Sequence, residues 1–578
     1  MTRDDHHQRI ELLIAPRDVM HGRCAATLLE ALGQTLTAPR CSRFTCGAEA
    51  ITCLAEDDVH GDPPGLDPAP MRIVEGLWPE PLGLRLTVAA QAPHASWRVE
   101  SDRYGVRPIF YAFDSARRPI VSTRPELVAA IIGAPLSRRS IAEHLLVNYN
   151  LDDHTPFEDV HRLRPGECLV MTKDNGLDIT SATCPAVRPG DPAGKEPPWL
   201  EPLTETVARA LQRGDALELT GGVDSRLVLA LALHAGVRPD LAFTLGNDDD
   251  EDVRLARMIC RRFGIRHLAL PVVVEERTII SEAHRFVTGS GFASNACAYG
   301  WLPGVFDRLS DRRTGQVGGC GGEFGTGIRC PSLDCGVNLP LVRRWWVRLR
   351  LIDTATRLDD LFGRDEGRRL NDQVEQTLLA AMQRRPDTHR ARFDGFYLDH
   401  YLTQRMPMAS GGVLVASAGW YRPLQPFMHG AYIEWGRALS TKQCADRALQ
   451  TELVTTLAPQ LAGLSYAGGR GRRRPLMKAV GKARRRWRRR GAAADMGAPS
   501  VADALARRDA VRHSLRDLPD RIDGALRAES IEEMLANPPA RARELGVLIS
   551  AAWAAEAAGT LARRLRADRD DRPRRRAA

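Results

Sequence analysis

The sequence lacks the cysteine and histidine patterns that hold metal ions or disulfide frameworks. Its 12 cysteines are few for 578 residues and contain no CxxC pair, and its 15 histidines form no HExxH motif. Zinc-ribbon, disulfide-scaffold and histidine-based metal sites are therefore poor interpretations. A reduced, cytoplasmic enzyme fits this cysteine usage best.

The sequence also lacks a long hydrophobic run. The longest clean apolar stretch, Leu227 to Leu233, is far shorter than the roughly 20 residues of a membrane-spanning helix. The N-terminus from Met1 to Arg9 is polar and charged, so we expect no secretory signal. We therefore expect neither a transmembrane helix nor a membrane partner.

Acidic residues are absent from one segment, Arg470 to Arg490, which contains 12 Lys and Arg. The whole chain has 81 Lys and Arg against 72 Asp and Glu, a net charge of +9. Without this segment the charge is 9 − 12 = −3, which excludes a uniformly basic protein. We favour a solvated insertion. The alternative is a contact surface for an acidic partner, a peptide or nucleic acid.

Short alternating runs predict a mostly β region from residue 9 to residue 183. Turn-forming residues separate the runs, as in a sandwich-like layer. A helix is predicted over Pro125 to Ile132, with the Glu126 carboxylate near its positive end. The predicted strands are Arg9 to Ile14, Leu82 to Val88, Ser96 to Ser101, Ile109 to Phe113 and Glu167 to Met171.

A proline-rich stretch, residues 184 to 198, has the composition of a linker and indicates a domain boundary. After it, strands alternate with helices, which predicts βαβ units and a parallel sheet. The predicted strands are Ala216 to Leu219, Leu241 to Leu245 and His267 to Val274, and the predicted helices are Ser225 to Ala235 and Asp252 to Phe263.

From about residue 340 the pattern is helical, and it ends in an Ala/Arg-rich helix from Val547 to Arg566. We therefore divide the chain into five parts. They are the β domain (1–183), the linker (184–198), a domain containing the parallel sheet (199–469), the basic segment (470–492) and a helical C-terminal extension with its tail (493–578).

The most informative segment joins a predicted strand to an apolar helix. Its glycines permit a tight turn whose backbone amides approach a phosphate, and the helix N-terminus favours an anion there. Asp224 can hold Mg²⁺ and Ser225 offers a hydroxyl to a phosphate oxygen. The alternative is an ordinary βα turn with a helix cap. We assign ATP binding to Leu219, Thr220, Gly221, Gly222, Val223, Asp224 and Ser225.

The second strand of this region ends at Leu245 and Gly246, which we expect to flank the adenine, because strand ends line the ligand crevice of a parallel sheet. The following acidic run, Asp248 to Asp252, is interpreted as a solvated helix start. Within it only Asp252 is expected to have a positional role.

A second glycine-rich segment, Gly318 to Gly327, suggests backbone packed close to a ligand. Glu323 is its candidate for a metal ligand or an orienting group. The alternative is a surface loop. Cys320 is a poor candidate nucleophile, because no partnered base can be identified.

Several segments in order resemble the asparagine synthetase B-like family, which includes β-lactam synthetases and lasso-peptide cyclases. Residues 219–225 are similar to its PP-loop, SGGxDS, with Thr220 in place of the first serine. The other segments are Asp102 to Tyr111, Ser122 to Glu126, Phe157 to Leu169, Gly318 to Gly327 and Arg422 to Phe427.

This resemblance spans roughly residues 100 to 450 and implies the fold. We expect an N-terminal glutaminase-like αββα sandwich, then a Rossmann-like parallel-sheet ATP pyrophosphatase domain with a helical C-terminal extension. The implied activity uses ATP and Mg²⁺ to activate a carboxylate as an acyl-adenylate, which an amine attacks to form an amide.

The chain departs from the family at three places. Glutamine-hydrolysing members need Cys after the initiator Met, whereas this chain has Thr2, so we expect a degenerate domain without glutaminase activity. GGCGGEF replaces the SGDGxDE pattern around Glu323. The family's catalytic lysine falls on Asp446, and Arg447 is our candidate replacement, with Lys442 as a second.

The leading hypothesis is an AMP-forming amide ligase that acts on a small-molecule or peptide carboxylate without hydrolysing glutamine. A lasso-peptide-type macrocyclase or tailoring enzyme would fit. One alternative is an ammonia-dependent asparagine synthetase. Another is a PP-loop enzyme that modifies nucleic acid through Arg470 to Arg490, although we do not favour a nucleic-acid partner. A non-enzymatic scaffold would show no ATP affinity. The oligomeric state stays open.

Overall fold

The fold is taken from a computed structural model. It describes residues 10–16, 18–20, 22–33, 40–46, 49–55, 71–74, 85–89, 96–171, 177–181, 197–310, 315–325, 352, 356–383, 400–439, 447–467 and 498–570. The structure does not describe residues 182–196, which include most of the predicted linker, or residues 468–497, which include the whole basic segment. Thr2, Lys442 and Asp446 also lie outside the described residues.

Sixteen strands are described, and they form two antiparallel sheets and one parallel sheet. In chain order they are β1 (Ile10–Pro16), β2 (Arg40–Cys46), β3 (Glu49–Ala55), β4 (Met71–Val74), β5 (Arg85–Ala89), β6 (Ser96–Glu100), β7 (Phe110–Phe113), β8 (Pro119–Ser122), β9 (His161–Arg162), β10 (Glu167–Met171), β11 (Leu177–Ser181), β12 (Ala216–Glu218), β13 (Leu241–Leu245), β14 (Arg266–Leu270), β15 (Gly315–Val317) and β16 (Arg422–Leu424).

Nineteen α-helices are described. They are α1 (Gly22–Gly33), α2 (Pro125–Ile132), α3 (Arg138–Val147), α4 (Leu200–Gln212), α5 (Val223–His234), α6 (Glu251–Phe263), α7 (Ile279–Gly289), α8 (Ala296–Tyr299), α9 (Leu302–Ser310), α10 (Leu358–Phe362), α11 (Arg364–Gln383), α12 (Gly411–Ser417), α13 (Gly430–Ala438), α14 (Ala448–Leu457), α15 (Ala498–Ala506), α16 (Asp509–Arg516), α17 (Leu518–Arg521), α18 (Ala528–Ala536) and α19 (Ala542–Asp570). A π-helical segment covers Tyr401–Ser410.

The two antiparallel sheets belong to the N-terminal part of the chain. Their strand orders are β2-β3-β1-β8-β7-β9 and β11-β10-β6-β5-β4. Leu12 and Ile14 of the first sheet share one buried cluster with Trp97 and Leu169 of the second, so the sheets pack face to face. The opposite side of β1 packs against α1, α2 and α19. The described residues therefore form a layer of helices and two layers of sheet.

The predicted βαβ region forms a five-stranded parallel sheet in the order β14-β13-β12-β15-β16. Successive strands run outward from β12 through β13 to β14, and then β15 and β16 extend on the other side of β12. Such a reversal is a topological switch point, where ligands bind in the crevice beyond the carboxyl ends of the strands. The switch point lies between β12 and β15, directly before the two glycine-rich segments.

Two strands of this sheet were not predicted. β16 lies in the region that we expected to be helical, and β15 was not recognised; each has three residues. Three residues are too few to show an alternating pattern. The third predicted strand is also shorter than expected, since β14 ends at Leu270 directly before Pro271.

The predicted helices of the first half are confirmed. α2 has the expected bounds, with proline at its first position and Gly133 in the left-handed conformation at its end. α5 and α6 begin one or two residues earlier than predicted, and α6 ends at Gly264, also left-handed.

One described helical stretch, Pro538–Asp568, is long and apolar enough to cross a bilayer by length and composition alone. Its most apolar window has a mean hydropathy of 1.4, and 67% of that window is buried inside the protein. Trp553 and Leu548 of α19 belong to the largest buried cluster. This burial is typical of the core helix of a soluble protein.

Candidate active site

The turn after β12 is held by its own side chains. Ser225 Oγ lies 3.0 Å from Thr220 Oγ1 and accepts a hydrogen bond of 3.0 Å from the Thr220 amide. Thr220 Oγ1 also accepts a hydrogen bond of 3.0 Å from the Gly222 amide. The Thr220 hydroxyl therefore fixes the shape of the turn.

Gly221 is required for packing rather than for the approach of a phosphate. A Cβ at this position would lie 2.6 Å from Leu255 Cδ1 and 2.9 Å from Ala467 Cβ. The Gly221 amide donates a 2.8 Å hydrogen bond to Asp252, and its carbonyl accepts one of 3.0 Å from Ala467. Asp252 thus has the positional role expected of it. The amides of Gly221 and Gly222, which we expected to face a phosphate, are engaged within the fold.

The anion-binding capacity of this region resides in the first turn of α5. Gly222 at the N-cap supplies no side-chain hydrogen bond, and Val223, Asp224 and Ser225 follow it. The first amides of a helix have no hydrogen-bond acceptor within the helix, and they produce a positive potential at its N-terminus. An approaching phosphate would meet these amides.

Arg226 anchors a later segment beside the turn. Its guanidinium is fully buried and donates hydrogen bonds to the carbonyls of Leu464, at 3.1 Å, and Ser465. It also stacks over the Tyr466 ring at 4.2 Å. Burial lowers the Arg226 pKa. Leu464 to Ala467 is thereby held against the turn that precedes α5.

Asp224 and Glu323 approach each other across the switch point. The pKa of Asp224 is raised to about 6, first by burial and then by the negative charge of Glu323. The positive charge of Arg447 acts in the opposite direction. Asp224 Oδ1 is buried without a hydrogen-bond partner. The structure thus brings Asp224, Glu323 and Arg447 together, although they are far apart in sequence.

The segment after β15 packs tightly on the start of α5. A Cβ at Gly322 would lie 2.6 Å from Asp224 Cγ, and one at Gly319 would lie 3.0 Å from the Ser225 nitrogen. Gly321 has a φ of +90°, which favours glycine. Gly318 to Gly325 is therefore not a surface loop. Thr326 and Gly327 lie outside the described residues.

Glu323 is oriented by two hydrogen bonds. Its Oε2 accepts one of 3.1 Å from the Gly321 amide, and its Oε1 accepts one from the Tyr401 hydroxyl. The Tyr401 ring meets Phe324 edge to face, with 5.5 Å between centroids. Burial and the Glu323 charge raise the Tyr401 pKa well above its ordinary value, so the hydroxyl keeps its proton and remains a donor.

Arg447 precedes α14 in a left-handed conformation with a φ of 60°. Gln450, in the first turn of α14, donates to the Gly322 carbonyl at 2.6 Å and to the Tyr432 hydroxyl at 2.9 Å. Tyr432 donates to the same carbonyl at 2.9 Å. The start of α14 is therefore tied to the glycine-rich segment, which places the charge of Arg447 near Asp224.

Sequence reasoning did not identify Tyr401, Tyr432 and Gln450. No short motif surrounds them, and their roles depend on contacts with the distant glycine-rich segment. The resemblance to the family's segment at Arg422 to Phe427 was the nearest signal. In the structure this segment contains β16. The side-chain oxygen Oε1 of Gln425 accepts a 2.9 Å hydrogen bond from the Cys320 amide.

Leu245 and Gly246 lie at the carboxyl end of β13, as predicted. Gly246 has a φ of +140°, and a Cβ there would lie 2.7 Å from Asp250 Oδ2. Burial, followed by the charges of Glu323 and Glu218, raises the pKa of the Cys320 thiol. A raised pKa disfavours the thiolate and so agrees with the view that Cys320 is not a nucleophile.

No protein-family model matches the chain, and no curated protein matches it either. The function of the site has to be inferred from its geometry and from the chemistry of its side chains.

Proposed function

We propose that the protein is an ATP-dependent, AMP-forming ligase that joins a carboxylate to an amine, in the manner of the asparagine synthetase B-like family. The N-terminal domain would be a degenerate glutaminase-like sandwich, since Thr2 occupies the position of the family's nucleophilic cysteine. The amine would be free ammonia or, preferably, a primary amine of the substrate. Macrocyclisation of a lasso-type peptide or another tailoring amidation would fit this chemistry.

One observation carries the proposal: Asp224 and Glu323 converge at the switch point of the parallel sheet, beside the N-terminus of α5. Two neighbouring carboxylates, one with a buried and unpartnered oxygen, are unfavourable without a cation. The helix N-terminus beside them favours an anion. A cation combined with a polyphosphate satisfies both demands, and magnesium-bound ATP has this chemistry.

Asp224 and Glu323 fit Mg²⁺, because carboxylates are suitable ligands for it, but two side chains supply only part of its coordination shell. The described residues contain no group of three or more His, Cys, Asp or Glu that could hold a metal by itself. Asp224 and Glu323 would therefore share the ion with phosphate oxygens, as is usual for magnesium-bound nucleotides. When bound, Mg²⁺ would neutralise charge on the departing pyrophosphate.

The roles of the other residues follow from their positions. The first-turn amides of α5 would hold a phosphate, and Leu245 and Gly246 would flank the adenine. Arg447 would stabilise negative charge on the pyrophosphate as the substrate carboxylate attacks the α-phosphorus. The amine would then attack the acyl carbon, and AMP would leave.

The test is pyrophosphate release from ATP by the full chain with a panel of carboxylates, including peptide carboxylates. We expect release with at least one of them, and loss of release in Asp224→Ala. No release from the wild type, or equal release from the variant, would contradict the proposal. Formation of asparagine from aspartate, ATP and ammonium would instead support the ammonia-dependent asparagine synthetase. A scaffold would bind no ATP.

A second candidate, a PP-loop enzyme that modifies nucleic acid, is favoured by one contact. Ala467 bonds to Gly221 of the PP-loop and precedes the basic segment by only three residues. If this candidate is right, deleting residues 470–490 will reduce RNA affinity and its dependence on salt. Unchanged binding would reject it.

A further inference from the structure

Glu218 is an ionisable residue on the central strand of the parallel sheet, where apolar residues are the rule. Its Oε2 accepts a 2.7 Å hydrogen bond from Gln316 Nε2 on the neighbouring strand β15. Glu218 forms no ion pair within the described part of the chain. Burial raises its pKa, and the hydrogen bond from Gln316 opposes that rise. The mechanism proposed above gives this carboxyl group no task.

Gln316 adds an unmatched acceptor to this position. The residue is 6% exposed, and its side-chain Oε1 is buried without a hydrogen-bond partner. Its amide nitrogen is already directed to Glu218. A carboxylate and an amide oxygen are both acceptors, and leaving such groups unpaired is costly. A ligand that carries several N–H donors would satisfy the acceptors of Glu218 and Gln316.

The pair lies directly beneath the glycine-rich segment of the candidate site. A Cβ at Gly318 would lie 2.8 Å from Glu218 Oε2 and 2.6 Å from the side-chain amide of Gln425. The next residue, Gly319, packs against the backbone of Asp224 and Ser225. One short stretch of backbone thus touches both the Glu218 side chain and the start of α5, so an occupant beside Glu218 would adjoin the ATP site.

We propose that Glu218 and Gln316 form the binding site for the amine substrate, which enters as an ammonium group. This inference rests on the proposed ligase function and specifies which residues receive its second substrate. The cation supplies the donors that the two oxygens need and the positive charge that Glu218 needs.

The carboxylate of Glu218 also has a chemical role in this arrangement. It takes one proton from the ammonium group and leaves a neutral amine with a free electron pair. That pair forms the C–N bond to the acyl carbon, while the C–O bond to AMP breaks and its electrons leave with the phosphate oxygen. The second proton lost by nitrogen passes to water, and Glu218 later releases its own proton to water.

The binding step can be tested without turnover. We would titrate the full chain with methylammonium chloride at pH 7.5, at constant ionic strength, and follow heat of binding and thermal stability. We expect saturable binding by the wild type and binding at least about tenfold weaker in Glu218→Gln, which removes a charged hydrogen bond. Tetramethylammonium, which has no N–H donor, should not bind.

Two further variants complete the design. Gln316→Met removes the second acceptor and should also weaken methylammonium binding, so it decides the question if Glu218→Gln fails to fold. Glu282→Gln is the matched control, because Glu282 is another glutamate whose pKa burial raises, near the start of α7. It should bind methylammonium like the wild type.

Each outcome supports or overturns the inference. Absence of saturable methylammonium binding, or unchanged binding by folded Glu218→Gln, overturns it. If binding depends on Glu218 but no carboxylate elicits pyrophosphate release, the ammonium site stands and the ligase function fails. In an active enzyme, Glu218→Gln should raise the KM for the amine about tenfold or more and also lower kcat, because the proton acceptor is lost.

Discussion

Asp224 is the residue at which folding and the proposed chemistry make opposite demands. Its carboxylate is needed for a cation, yet burial and Glu323 make its ionisation unfavourable. In the folded protein it ionises at a pH of about 6, whereas its ordinary pKa is 3.8. Between these pH values the folded state binds more protons than the unfolded state. The free energy of unfolding therefore falls as the pH rises through this window and stays lower above it.

Asp224→Asn should consequently stabilise the protein while abolishing pyrophosphate release. We expect a gain of about 1–3 kcal/mol in the free energy of unfolding at pH 7.5 and little change at pH 3.5. Urea denaturation at both pH values measures this change in the free energy of unfolding. Asp249→Asn, at an exposed position, should change neither quantity. If the variant is less stable than the wild type at pH 7.5, other groups of the fold stabilise the negative charge of Asp224, which would contradict this prediction.

Arg447 is the second residue with a specific expectation. Arg447→Met should reduce the rate of pyrophosphate release about 100-fold, because a preorganised charge near the leaving group is lost. Arg447→Lys should be impaired less, since it keeps the charge but not the donor geometry. Both variants place a non-glycine residue at the same positive φ, so they are matched in backbone strain.

The control for Arg447 is Arg257→Met, which removes an arginine that pairs with the exposed Asp248. Its pyrophosphate release should equal that of the wild type. A wild-type rate in Arg447→Met would exclude Arg447 as the replacement for the family's lysine. Lys442, outside the described residues, would then be the next candidate to test.

At the scale of elements, the decisive feature is the close contact between Gly318–Gly325 and the first turn of α5. A loop with side chains at Gly319 or Gly322 would be displaced from Asp224 and Ser225. The glycine content that suggested proximity to a ligand is explained first by proximity to another backbone. That packing nevertheless delivers Glu323 to Asp224, so the two explanations describe one arrangement.

Gly322→Ala should separate these elements. Its new Cβ would lie 2.6 Å from Asp224 Cγ, so we expect a loss of about 1–3 kcal/mol in stability and a large loss of pyrophosphate release. Gly304→Ala is the matched control, because its nearest atom would lie at 3.6 Å and the residue is inside α9. It should be neutral or slightly stabilising. Wild-type activity in Gly322→Ala would mean that the contact is unnecessary.

At the scale of the whole molecule, α19 joins the N-terminal layers to the parallel-sheet region. Leu561 and Leu565 pack with Leu13 of β1 and Leu127 of α2. Farther back along α19, Ser550 donates a 3.1 Å hydrogen bond to the Ser294 carbonyl and accepts one of 3.0 Å from the Ala296 amide. The apolar character that resembles a membrane helix is thus used in contacts with both parts of the chain.

Leu561→Ala should destabilise the protein by about 2–4 kcal/mol, because it leaves a cavity between β1, α1 and α19. Chemical denaturation, with pyrophosphate release measured in parallel, tests this at the level of the whole chain. Arg563→Ala, on the exposed side of α19, should be nearly neutral. An effect of Leu561→Ala below about 0.5 kcal/mol would mean that α19 does not support the N-terminal layers.

The distribution of charge also acquires meaning only in three dimensions. In sequence, the basic segment from Arg470 lies far from the PP-loop. In the structure, the residue three positions before it bonds to Gly221. This contact of Ala467 with Gly221 is the reason to perform the RNA-binding test beside the ligase test.

The sequence by itself determined the local elements around the candidate site. The strand–turn–helix around Asp224, the bounds of α2 and the end of α6 at Gly264 depend on neighbours in the chain, so patterns and capping residues suffice. Only the tertiary structure decided that β15 and β16 complete the sheet, that Tyr401 orients Glu323, and that Glu218 has no ion-pair partner among the residues that the structure describes. Strands of three residues and contacts between distant segments have no periodic signal. Their stability comes from packing across the fold.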